Sequence, residues 1–145
     1  MDAKDYRDYR TLYWTPDMDG PWSDAAAQRY VAGSYEGVHY RIPRGVTHAS
    51  LDFLLGLPDL RYLSVQGPVT DDSAVNQIES LEHVTLLTRS KVALAVDRLP
   101  HLHALGADAR RDLTSIHALA GLQRLFLAGW SGPDLTFLGD KPRLV

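Results

Sequence analysis

The stretch LDFLLGLPDLRYLSV, residues 51–65, decides the fold predicted for this chain. Its apolar residues fall at every third position and then tighten to a two-residue step: Leu51, Leu54, Leu57, Leu60, Leu63 and Val65. The same spacing returns at residues 75–86, 96–107 and 113–127. The residues that precede each two-residue step are Leu63, Val84, Leu105 and Leu125. They lie 20 to 21 positions apart, a period typical of a solenoid in which every repeat forms one coil.

Each step of this pattern indicates a backbone conformation. A two-residue step requires an extended chain, because alternate side chains of a strand point to the same side. A three-residue step fits a 3₁₀ turn, which has three residues per turn. We therefore predict that each repeat is a short strand followed by a 3₁₀-like or loop return. Because all repeats run in one direction, their strands are expected to pair in parallel in one curved sheet of an α/β protein.

Two of the returns share a further pattern. Residues 112–116 read DLTSI and residues 134–138 read DLTFL, 22 positions apart. With the L-x-x-L-x-x-L-x-L spacing, they resemble the bacterial leucine-rich repeat proteins of the short-repeat, internalin-like type. The resemblance covers residues 51–145, about two thirds of the chain. It implies a leucine-rich repeat solenoid of four to five coils over residues 46–145.

The chain departs from that family just after each strand. Such repeats usually carry an Asn there, whereas this chain has only one Asn, Asn76. The equivalent positions hold Pro68, Arg89, Arg110 and Trp130. Buried amides and carbonyls must still be hydrogen-bonded, so we expect irregular turns that use other polar partners.

Residues 1–45 do not follow the repeat and are predicted to form an N-terminal capping segment. Residues 11–14, TLYW, favour a strand, and Ser23 or Asp24 is placed to cap a short helix. Residues 35–42 alternate like a strand. Ile42 precedes Leu63 by 21 positions, so we expect it to be an irregular additional rung of the ladder.

Composition argues against several function classes. A net charge of −3 gives no reason to expect nucleic acid, and no apolar run is long enough to cross a membrane. The absence of cysteine excludes thiolate chemistry and disulfides and fits a cytoplasmic location. The sequence has no phosphate-binding or nucleophile motif. We therefore predict a protein that is not an enzyme and has no cofactor, with a hydrolase or metal enzyme built on the N-terminal segment as a disfavoured alternative.

Two weak metal-ligand patterns are present. His101 and His103 have the i, i+2 spacing that two ligands can use, but no third ligand is near them in the sequence. Asp17, Asp19 and Asp24 lack the glycine and the closing carboxylate of a calcium loop. A surface role is the favoured interpretation for the two histidines, the signal from the three aspartates is weak, and no metal is predicted.

The strand residues between the core positions should form an exposed sheet face. The small residues Ala104 and Gly106 predict a shallow dip on this face, walled by side chains of the two adjacent strands, with Asp108 at its edge. Tyr, Arg and Phe often dominate binding energy at protein interfaces. The predicted partner-binding residues are Tyr62, Ser64, Gln66, His83, Thr85, Leu87, Asp108, Arg124 and Phe126. The chain is therefore predicted to be a non-catalytic protein-binding module, and the alternative is that these are ordinary solvent-facing residues.

The C-terminal end of the sequence raises a further expectation. The repeat would place the next strand near position 147, beyond the last residue, and no polar capping coil follows. One reading is a regulatory or sensor fragment of a longer multidomain protein. The other is self-association, in which a second chain covers the apolar flank of Leu135, Leu138 and Leu144.

Overall fold

The structure is a computed structural model and describes residues 9–15, 22–42, 45, 48–90, 92, 94–108 and 121–128. Its main element is a six-stranded parallel sheet. In their order across the sheet, the strands are β1 (Thr11–Trp14), β2 (Gly37–Arg41), β4 (Tyr62–Gln66), β6 (His83–Leu87), β7 (Ala104–Asp108) and β8 (Arg124–Ala128). A separate pair consists of β3 (His48–Ser50) and β5 (Val69–Asp71). With helix α1 (Asp24–Ala32), the class is α/β, as predicted.

The predicted strand register is confirmed. Leu63 of β4 lies opposite Val84 of β6, and Val84 lies opposite Leu105 of β7. Leu105 in turn lies opposite Leu125 of β8. These four residues therefore form one row across four neighbouring strands. Because side chains alternate along a strand, the whole row faces the same side of the sheet.

That side of the sheet carries the hydrophobic core. Leu12, Val38, Leu63 and Val84 are fully buried or nearly so, and Leu105 is 2% exposed. One continuous cluster joins residues from Leu12 on β1 to Leu122 just before β8. The predicted division of the chain at residue 45 stays a prediction, but the described residues on both sides of it share one sheet and one core.

The predicted 3₁₀ returns are confirmed for three segments of the chain. The 3₁₀ helices are Asp52–Gly56, Ser73–Gln77 and Val96–Arg98. The three-residue spacing buries one side of the returns, and the buried residues are Leu51, Leu54, Leu57, Leu60, Val75, Ile78, Leu81, Leu99 and Leu102. The returns thus form a second layer that packs against the sheet, since both layers contribute to the same core.

The alignment of Ile42 with the repeat was wrong. Strand β2 forms as predicted, but Val38 lies opposite Leu63, and Tyr40 lies opposite Val65. Val38 precedes Leu63 by 25 positions instead of 21. This longer segment contains β3, which pairs with β5 outside the main sheet. Ile42 lies just past the end of β2, where its amide donates to the carbonyl of Gln66 at 2.8 Å.

The N-terminal residues cover the core next to β1 and β2. Helix α1 begins after Ser23, whose carbonyl accepts the amides of Ala26 and Ala27, but whose side chain makes no capping hydrogen bond. The Tyr30 hydroxyl donates to the carbonyl of Pro58 at 2.8 Å. An aromatic cluster with ring centroids 5.2 to 6.2 Å apart lies beside the helix and consists of Trp14, Trp22, Tyr40 and Phe53.

Turns after the strands use varied polar partners, as predicted. Arg89 adopts a positive φ of 57°, and its amide donates to the carboxylate of Asp108 on the next strand. Asn76 accepts the amide of Ala95 at 2.9 Å, so it joins two consecutive returns instead of lying after a strand. Of the other three positions after the strands, Pro68 is partly exposed, and Arg110 and Trp130 lie outside the described residues.

Several sequence-based expectations fall on parts of the chain that the structure does not describe. These are the DLTSI and DLTFL segments, the C-terminal flank of Leu135, Leu138 and Leu144, and the aspartates Asp17 and Asp19. The expectations of self-association and of a longer regulatory protein rest on the C-terminal residues and stay predictions.

Candidate functional site

The side of the main sheet opposite the core, here called the open face, carries the residues that alternate with the core positions. One row on it contains Tyr13, His39, Ser64, Thr85, Gly106 and Phe126. A second row contains Thr11, Gly37, Tyr62, His83, Ala104 and Arg124. Each row has one residue per strand, because the strands pair in parallel without a shift along these rows. Side-chain size therefore sets the relief of the face.

A depression of about 340 Å³ lies on the open face, where the sequence predicted a dip. The residues that line it are His83, Thr85, Ala104, Leu105, Gly106, Arg124, Leu125 and Phe126. Ala104 and Gly106 on β7 are smaller than their neighbours on β6 and β8, so the central strand forms a low floor between two walls. We call it the β7 depression.

Two side chains on β8 give the depression its chemical character. Phe126 is 61% exposed, a large fraction for an aromatic ring of a folded chain. Arg124 is exposed in the same strand, two residues away and on the same side of the sheet. No ion pair of Arg124 is found within the described residues. The wall thus presents an apolar ring and a guanidinium group side by side.

Opposite them, β6 supplies a more polar wall. Thr85 approaches the floor closely, since a Cβ placed on Gly106 would lie 3.2 Å from the Thr85 hydroxyl oxygen. His83 is partly exposed, and its ring packs against Tyr62 with centroids 5.0 Å apart. The depression therefore combines a hydroxyl and an imidazole on one side with a cation and an aromatic ring on the other.

Two predicted site residues are not available to a partner. Tyr62 is only 7% exposed, because the ring of Tyr9 stacks on it at 5.6 Å. Ser64 is 2% exposed and lies between the larger side chains of His39 and Thr85 on the adjacent strands. The expectation that both face solvent was wrong.

Asp108 lies near the depression, but its side chain stabilises the turn after β6. Its carboxylate accepts a hydrogen bond from the backbone amide of Arg89, as described above, and Asp108 is not among the lining residues.

Gln66 and Leu87 are partly exposed and lie opposite each other on β4 and β6. They also lie outside the depression. Of the nine predicted partner-binding residues, the structure brings together His83, Thr85, Arg124 and Phe126 in one site.

The sequence did not predict the exposed residues at the β1 and β2 end of the open face. Tyr13 on β1 is 59% exposed, and its ring lies 5.1 Å from that of His39 on β2. Burial lowers the pKa of His39, and the nearby charge of Arg41 lowers it further. The alternation in residues 37–41 already placed His39 and Arg41 on one side, but the position of β1 in the same sheet gave no repeat signal.

A polar network runs along the edge of the sheet where the strands begin. Arg61 lies 3.8 Å from Glu36 and 3.4 Å from Glu82, and His103 lies 4.0 Å from Glu82. The Tyr9 hydroxyl donates to Glu82 at 3.1 Å, which holds the Tyr9 ring over Tyr62. This contact explains why the open face is covered at β4.

The described residues offer neither a metal-binding group nor a membrane-spanning helix. In the part of the chain that the structure describes, no group of three His, Cys, Asp or Glu side chains is arranged to hold a metal ion. His101 is exposed, whereas His103 takes part in the Glu82 network. None of the helices among the described residues has the length and apolar character needed to cross a membrane.

Comparison with known proteins does not assign the chain to a family. No protein-family model matches the chain, and a search of curated proteins gives no match either. A function for this chain is therefore inferred from the geometry of the open face.

Proposed function

We propose that the chain is a non-catalytic protein-binding module of the leucine-rich repeat type, and that it binds its partner with the open face around the β7 depression. The repeat assignment draws support from the in-register row of Leu63, Val84, Leu105 and Leu125 and from the 3₁₀ returns that join the strands. In such a scaffold the inward residues maintain the fold, and the outward residues are free to vary.

The single observation that carries the proposal is the β7 depression with Phe126 and Arg124 on one wall. An aromatic ring that is 61% exposed leaves apolar surface in water, and a partner that covers it recovers hydrophobic free energy. Arginine and aromatic residues are enriched among the side chains that dominate protein interfaces. We expect the module to work in the cytoplasm, since a chain without cysteine fits a reducing compartment.

The test is an affinity purification from the source cell with three purified baits. The first is the unaltered chain, the second carries Arg124→Ala and Phe126→Ala, and the third carries Arg98→Ala and Leu55→Ala. Arg98 and Leu55 are also exposed but lie on the 3₁₀ returns, away from the open face. The third bait therefore controls for the loss of one cation and one apolar side chain.

We expect a specific partner with the first and third baits and its loss with the second. Exposed substitutions usually change the free energy of unfolding by at most about 0.5 kcal/mol, so the thermal unfolding midpoints should agree within about 2 °C. A partner that is retained equally by the second bait would exclude this face as the binding surface.

A further inference from the structure

The charges around the β7 depression indicate what kind of partner it fits. Among its lining residues, Arg124 is the one group with a permanent charge, and none of them carries a carboxylate. The chain as a whole has a net charge of −3, so the positive charge of Arg124 is opposite in sign to the net charge of the protein. The nearby Asp108 is engaged by the amide of Arg89 on the adjacent turn. A negatively charged group of a partner would therefore meet a complementary charge at Arg124.

The apolar part of the site lies directly beside that charge. Gly106 lies opposite Phe126, so the exposed ring borders a floor position that has no side chain. Ala104 lies opposite Arg124 and lines the depression, although its own side chain is only 2% exposed. A ligand that contacts both Arg124 and Phe126 needs an anionic group and an apolar group about 7 Å apart, the distance between alternate residues of a strand.

The size and openness of the site favour a segment of a protein over a cofactor. Its volume of about 340 Å³ is at the lower end of the range for small-molecule sites, and all its walls come from the outer side of one sheet. A nucleic acid would need a cluster of cations, whereas the lining has only Arg124. An extended peptide can place one or two side chains in such a depression and continue across the face.

We propose that the β7 depression binds an extended partner-protein segment that carries an Asp or Glu two positions away from an apolar residue. The carboxylate pairs with Arg124, and the apolar side chain lies over Gly106 against the ring of Phe126. This inference rests on the proposed function, because it specifies the chemistry of the partner for the same surface.

The test begins with a random heptapeptide library displayed on phage, which is selected on the whole unaltered chain and, in parallel, on the Arg124→Glu variant. The unaltered chain should enrich Asp or Glu two positions away from an apolar residue. Reversal of the charge at position 124 should shift the enrichment toward Lys or Arg, while the apolar preference stays. Circular dichroism of both proteins checks that the fold is kept.

The best heptapeptide is then synthesised with its acid intact and with that acid changed to the matching amide. On the unaltered chain, the change from acid to amide should raise the Kd of the peptide by about twofold to fivefold, as expected for the loss of an exposed ion pair. On an Arg124→Ala variant, the same change should have no effect. Phe126→Ala should weaken binding of the acid peptide by about tenfold, and Leu55→Ala should leave it unchanged.

The possible failures separate the two proposals. If the selected peptides depend on Phe126 but show no acidic preference, or if the amide change has the same effect with and without Arg124, the chemistry assigned here is wrong and the binding surface stands. If selection gives no enrichment, or gives peptides that bind a chain with Arg124→Ala and Phe126→Ala as tightly as the unaltered chain, both the chemistry and the proposed surface are wrong.

Discussion

At the scale of single residues, the segments that follow the strands are joined by buried polar contacts. Asp72 and Thr88 have no exposed surface, and the Thr88 hydroxyl donates to the Asp72 carboxyl at 2.7 Å. Asn76 makes a comparable link to the amide of Ala95. A buried polar group without a hydrogen bond costs more than its hydrogen bond contributes when made. These contacts therefore make the stacking of neighbouring segments specific.

Thr88→Val should remove the donor to Asp72 and keep the shape of the side chain. We expect a loss of about 2 kcal/mol in the free energy of unfolding, because the carboxyl loses a hydrogen bond at a position with no exposed surface. Urea unfolding followed by circular dichroism measures this loss. Thr70→Val is the matched control, since Thr70 is exposed, and its effect should stay within about 0.5 kcal/mol. Equal losses for the two variants would show that the buried contact adds no stability.

The link between Asp72 and Thr88 could not be predicted from the sequence. The two residues are 16 positions apart. Asp72 stands at the N-cap of the 3₁₀ helix Ser73–Gln77, but its side chain makes no capping hydrogen bond and accepts from Thr88 instead. Their contact follows from the packing of one return on the next. By contrast, Ala104 and Gly106 were recognised as a dip because the strand register follows directly from the spacing of apolar residues.

At the scale of elements, the turn after β4 depends on Gly67. Its φ is +123°, and a Cβ at this position would lie 2.5 Å from the Cβ of Ile42. Its amide donates to the carbonyl of Leu87, at the end of β6. Glycine is thus required here for two reasons. The backbone has a conformation that other residues rarely adopt, and a side chain would clash with Ile42, just past the end of β2.

Gly67→Ala should destabilise the fold by about 2–3 kcal/mol, from backbone strain and the contact with Ile42. The midpoint of urea unfolding is the measurement. Gly56→Ala is the control, because Gly56 has no atom near its Cβ position and no positive φ. It should change the free energy of unfolding by less than about 1 kcal/mol. If Gly67→Ala unfolds at the same urea concentration as the unaltered chain, the described turn is incorrect.

The elements were predictable to the extent that their pattern was periodic. Strands β4, β6, β7 and β8 and the 3₁₀ returns follow from the alternation of two- and three-residue steps. The alignment of β2 was wrong by four positions, because its segment also contains β3 and is longer than the others. A period measured in one part of a chain does not fix the length of an insertion elsewhere.

At the scale of the whole molecule, the open face is covered at one place and accessible at others. The network of Glu82 and Tyr9 covers Tyr62, whereas Tyr13 on β1 and Phe126 on β8 expose their rings. The sequence could not show this difference, since Tyr9 belongs to the segment without a repeat. The part of the open face that includes β6, β7 and β8 contains the β7 depression, where we propose that the partner binds.

One core row that joins four neighbouring strands determines both the sheet register and the position of the β7 depression. The direct measurement is a methyl–methyl nuclear Overhauser spectrum of the chain labelled at its Leu and Val methyl groups, with each residue assigned by substitution. We expect a connected series from Leu63 to Val84, from Val84 to Leu105 and from Leu105 to Leu125, because adjacent strands lie about 4.8 Å apart. Contacts that skip a strand or are displaced by one residue would contradict the register, and with it the floor and walls of the β7 depression.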